Sequence, residues 1–73
     1  MNIAEQIKQD YYKEVITLIS SLPDVMQTFE QAWKFGNFRE AYRIAHSSIK
    51  LLGIDSSSEK SKVWEDFYWL FVN

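Results

Sequence analysis

The segment from Trp33 to Gly53 carries the tightest set of local instructions in the chain: the end of one helix, a glycine turn, and a complete second helix with its own stop. Gly36 can enter the left-handed backbone region without a Cβ penalty, which is how many helices end. Asn37 follows as a capping residue, and Glu40 three positions later completes a capping-box pattern. Phe38, Ala41, Tyr42, Ala45, Ile49 and Leu52 then recur at helical spacing as one apolar stripe. The small Ala41 and Ala45 let a neighbouring helix come close. Gly53 ends the segment, with Ile54 placed to pack back on Ile49 in a Schellman-type stop.

Upstream, Ile3, Ile7, Tyr11, Val15, Leu18 and Leu22 follow one another at steps of three or four and predict a helix over residues 2–22. Tyr12, Ile16 and Ile19 widen its apolar sector, so it should touch two other helices. Pro23 is expected to end this helix near Ser21 and to open the next from its first turn, where the missing amide hydrogen is not needed. One continuous helix kinked at Pro23 is the alternative. Met26, Phe29 and Trp33 form the buried line of the second segment, with Val25 and Ala32 beside it.

Downstream, residues 55–62 are serine-rich and their first half reads as a loop. Ser56 with Glu59 fits a second capping box, so a fourth helix is predicted from near Ser57 almost to the end. Val63, Phe67, Leu70 and Phe71 form its core line, Trp64 and Tyr68 flank it, and Trp69 points away. The expectation is an all-α fold, a single helical domain over residues 1–73 in which three to four helices form a small bundle of helical hairpins.

At 73 residues the chain lies near the lower limit for a self-sufficient core, and it has no cysteine to staple it. Packing must supply stability, and three Trp, four Tyr and five Phe are more aromatic surface than so small a bundle hides. A homodimer or a complex with a protein partner is therefore expected. The net charge of −2, with both signs mixed along the chain, argues against nucleic acid as a partner. No apolar run reaches the roughly 20 residues that span a bilayer, so membrane insertion is not expected and a cytoplasmic location is.

Enzyme chemistry is poorly supplied. His46 is the single histidine, and no Gly-rich phosphate loop or carboxylate cluster with metal-ligand spacing is present. The pairs Asp10 with Glu14 and Glu65 with Asp66 read as solvated helix faces. No catalytic activity, cofactor, metal or small-molecule substrate is expected. Interaction features are better represented. At about 100° per residue, His46 falls at the edge of the core stripe, on a basic strip with Arg39, Arg43 and Lys50. Two readings stand for it: a boundary histidine among solvated cations, or one that faces a phosphate or an acidic partner. Ile44 and Leu51 lie on a side of the third helix that the core stripe does not cover. With Trp69 and Tyr12 they are candidates for an exposed apolar patch, unless the fourth helix covers them. The candidate partner-binding residues are thus Arg39, Arg43, Ile44, His46, Lys50, Leu51 and Trp69.

Gly36, Asn37, Phe38, Glu40, Ala41, Ala45, Ile49 and Leu51 fall in order on the positions of the second half of a tetratricopeptide repeat, and residues 32–53 resemble that family. The resemblance implies a protein-binding groove or a chaperone-like adaptor, as in small helical secretion co-chaperones. Pro23, Gly36, Ala45, His46 and Ser47 also resemble, in order and interval, the phosphotransfer domain of two-component signalling. That resemblance implies His46 as phosphoacceptor or as a mimic of one, with Lys50 orienting the phosphoryl group.

Overall fold

The computed structural model describes residues 2–53 and 62–73. Among them are α1 (Ile3–Ile19), α2 (Pro23–Lys34), α3 (Phe38–Leu51) and α4 (Lys62–Phe67), the last continued by a π-helical turn over Tyr68–Val72, and there is no strand. The all-α expectation holds. The second capping box at Ser56 and Glu59, the helix start near Ser57 and the Ile54 staple lie outside the described residues.

Each boundary has a local cause. The Asn2 side chain accepts the Ala4 N–H at 3.0 Å and caps α1. Pro23 occupies the first turn of α2, so the chain breaks there instead of kinking through. Asp24 beside it places a carboxylate at the positive end of the helix dipole. At the other end of α2, Gly36 takes φ +74°, its N–H reaches the Trp33 carbonyl at 3.0 Å, and the Asn37 N–H reaches the Ala32 carbonyl at 2.9 Å. Those two bonds are the pair that defines a Schellman stop. Gly53, at φ +69°, ends α3 with its N–H on the Lys50 carbonyl.

The capping box at the start of α3 does not form. Asn37 makes no side-chain cap bond, and the Glu40 carboxylate takes two hydrogen bonds from the Arg43 guanidinium one turn on. A two-point contact with a charged donor outcompetes a single bond back to a backbone amide.

The core is built from Tyr11, Val15 and Ile19 of α1, Phe29 of α2, Ala41, Ala45 and Ile49 of α3, and Trp64, Phe67 and Val72 at the C-terminal end. Each fully buried large apolar side chain contributes about 1.5–3 kcal/mol relative to exposure. On α1 the buried line runs Tyr11, Val15, Ile19 instead of through Leu18 and Leu22. The helix stops at Ile19, which leaves Leu22 as the N-cap of α2 with its N–H on the Ile19 carbonyl. Ile3 is exposed.

The C-terminal segment departs most from a helical wheel. Trp64, expected as a flank, is fully buried, while Leu70, expected in the core, is 52% exposed. The π-helical turn explains the second point: its wider i→i+5 winding, seen in the Asn73 N–H on the Tyr68 carbonyl at 2.8 Å, moves the inward position to Val72. Phe67 lies stacked on Tyr11, with ring centroids 3.8 Å apart and planes within 4°. The Trp64 ring meets the same Tyr11 edge-on at 5.0 Å, and its indole N–H donates to Glu14 at 3.0 Å. Glu14 is therefore a structural acceptor tying α1 to α4, not part of a solvated carboxylate face.

Candidate functional site

The outward face of α3 is where the structure gathers most of the sequence-predicted residues, and it does so in two groups on either side of one ridge. Arg43 and Ser47, one turn apart, form the ridge and border both hollows. On one side Arg39, Tyr42, His46 and Val72 join them around a hollow of about 310 Å³. On the other, α3 contributes Ile44, Ser48 and Leu51, and α2 contributes Asp24, Val25 and Thr28, to a groove of about 300 Å³ between the two helices. Lys50 is exposed but borders neither, and Trp69, on the π-helical turn, lines neither.

The groove's rim carries an exposed apolar side chain. Leu51 is 80% exposed, Ile44 is half-buried against the core, and α4 packs on α1, leaving Leu51 open. Ser48 is buried, and its hydroxyl donates to the Ile44 carbonyl at 2.7 Å, so it adds no donor to the groove floor. Tyr12 does not belong to this patch. It is half-buried, donates its hydroxyl to Glu30 at 3.3 Å, and helps to line a separate hollow with Trp33, Lys8 and Lys13.

The basic strip is less uniform than its spacing implies. Arg43 is held by Glu40, and this pair raises the guanidinium pKa and lowers that of the carboxyl through their shared hydrogen bonds. Arg39 donates to the Val72 carbonyl at 3.3 Å, a neutral acceptor. Among the described residues no carboxylate forms an ion pair with Arg39 or Lys50. The His46 ring is half-buried and lies 24° from parallel with Tyr42, centroids 6.0 Å apart. It is thus a boundary histidine whose one edge reaches the hollow, with Nδ1 shielded from solvent.

Among the described residues, no group of three or more His, Asp or Glu side chains is placed to hold a metal ion, and no helix is long and apolar enough to cross a membrane. Sequence reasoning missed Ser47, Val25 and Thr28 as lining residues. Ser47 was legible, since it falls one turn from both Arg43 and Leu51; the α2 contribution required knowing which face of α2 meets α3. Phe35 (80% exposed, at the α2–α3 turn) and Leu70 were missed as exposed apolar surface. Compared with protein-family models, curated proteins and solved structures, the chain matches none.

Proposed function

We propose that this chain is a non-enzymatic protein-binding module, a small cytoplasmic adaptor, co-chaperone or inhibitor, that holds its partner along the outer face of α3. The observation supporting this is the α2–α3 groove: a largely apolar channel with Leu51 standing 80% exposed at its rim. Covering a solvated leucine beside such a channel recovers about 1.5–3 kcal/mol. Arg39 and Lys50, whose charges no carboxylate among the described residues offsets, orient an acidic partner and reject a basic one. The tetratricopeptide-like order of residues through this hairpin is in keeping with such a role.

The test compares the wild-type chain with Leu51→Asp and Ile44→Asp as affinity baits, with far-UV circular dichroism on each. The expected result is unchanged helicity for Leu51→Asp together with loss of a protein the wild type retains in stoichiometric amount. If Leu51→Asp and Ile44→Asp both retain that protein at wild-type levels, the groove is not the binding surface.

A further inference from the structure

We propose that the hollow bordered by Arg39, Tyr42, His46 and Val72 receives Trp69 from a second copy of this chain, exchanged reciprocally in a two-fold dimer. Trp69 stands 60% exposed at the π-helical turn, with the Tyr68 ring edge-on to it at 5.4 Å, and Leu70 beside it is 52% exposed. Glu65 lies one helical turn before Trp69 and Asp66 one turn before Leu70, so this surface offers an aromatic anchor rimmed by carboxylates. The hollow offers the reverse. Its floor is Tyr42 and Val72, its rim is Arg39, Arg43 and His46, and no carboxylate lines it. Glu40 already pairs with Arg43, whereas Arg39 forms no ion pair among the described residues and supplies the charge offered to a partner.

Position fixes the symmetry. On the π-helical turn, Trp69 adjoins the hollow through Tyr68, whose ring meets Trp69 at 5.4 Å and the floor residue Tyr42 at 5.5 Å, so knob and hole are neighbours. A two-fold axis passing beside this turn lets each copy's Trp69 enter the other's hollow, an isologous contact that closes at two chains and leaves the α2–α3 groove clear. A tryptophan buries about 150–250 Å², and the two together fall well short of the roughly 1,200 Å² typical of stable interfaces. The dimer is accordingly concentration-dependent, and its ionic component weakens with salt. This inference extends protein binding to the chain itself and stands separately from the groove reading.

Sedimentation equilibrium from micromolar to millimolar chain is the test. The wild type is expected to move from 8.7 kDa towards twice that mass. Trp69→Ala should weaken association about tenfold or more, as loss of a central aromatic anchor does, and Glu65→Lys should weaken it to a lesser degree. Phe35→Ala, which removes a more exposed ring elsewhere, should leave it unchanged. Circular dichroism on Trp69→Ala should show full helicity, since that ring is outside the core. A wild type that remains at 8.7 kDa throughout overturns the proposal, as does equal weakening by Phe35→Ala and Trp69→Ala. In either case Leu51→Asp and Ile44→Asp together still decide the groove reading.

Discussion

Replacing Phe67 by alanine should unfold or nearly unfold this protein, and the reason lies in how many elements one ring joins. The Phe67 ring is fully buried, stacked on Tyr11 of α1, 5.4 Å from Trp33 of α2, edge-on to Phe38 of α3 at 5.9 Å, and 5.1 Å from Phe71 on the π-helical turn. None of those neighbours can close the gap without giving up another contact. The full cost of a Phe→Ala change in a rigid core, about 3–5 kcal/mol, should therefore apply. At about 0.05–0.15 kcal/mol per residue the whole domain has roughly 4–11 kcal/mol to lose. With an unfolding entropy near 0.15 kcal/mol/K for a chain of this length, the midpoint should fall by about 20–30 °C. Urea titration followed by far-UV circular dichroism and tryptophan fluorescence measures the change. Trp69→Ala serves as the control, because an exposed ring should cost no more than about 0.5 kcal/mol. A loss below about 1 kcal/mol for Phe67→Ala, or one matching the control, would refute the placement of this ring at the centre of the bundle.

Other outcomes follow from single groups. The Tyr11 hydroxyl is buried with no hydrogen-bond partner among the described residues, and burial, followed by the neighbouring Tyr42 and Glu14, pushes its pKa well above the ordinary tyrosine value of about 10. The folded state thus keeps a proton that the unfolded chain releases, so stability is complete below pH 10 and declines as pH rises beyond it. Tyr11→Phe should be neutral or slightly stabilising at pH 7 and should flatten the alkaline limb, as pH-dependent urea midpoints would show. Gly36→Ala should cost about 1 kcal/mol from backbone strain alone, because nothing lies within 4 Å of an added Cβ; thermal melts test it. The Glu40 carboxyl, held below its ordinary range by hydrogen bonds from Arg43, should titrate higher in Arg43→Ala, read by NMR at its side-chain carbon. Its stabilising contribution is present above its unfolded pKa and lost as pH falls through the lowered folded value. Incubation with a small phosphodonor should leave His46 unlabelled, and a phosphohistidine that disappears in His46→Gln would replace the binding reading with phosphotransfer.

The hairpin was legible because its signals are local. Gly36, Gly53 and Pro23 act through their own backbone preferences, and the Ala41, Ala45, Ile49 line needs nothing beyond a 3.6-residue period. Glu40 was misjudged because a capping box and an i,i+3 ion pair compete for one carboxylate, and the sequence states both options without their relative strength. Trp64 illustrates a different difficulty: an indole with a polar N–H reads as a flank until Glu14, 50 positions away, is known to accept it. Leu70 fell on the wrong side because helical-wheel arithmetic assumes a constant winding. Arg39, Arg43, His46, Ile44 and Leu51 were found by their angles on α3, yet their division between two hollows depended on where α2 and the π-helical turn run.

That turn also bears on how this chain can vary in length. A π-helical turn holds one residue more than the α-helical turn it replaces, so it is equivalent to a single-residue insertion absorbed without moving the ends. Removing one residue from Tyr68–Leu70 should let the segment rewind as α-helix while Phe67 and the residue now at Val72 keep their inward register. The bundle would tolerate the deletion, and the surface would lose a protruding side chain. A shortened relative with an intact core and no exposed tryptophan would be the natural record of such an event.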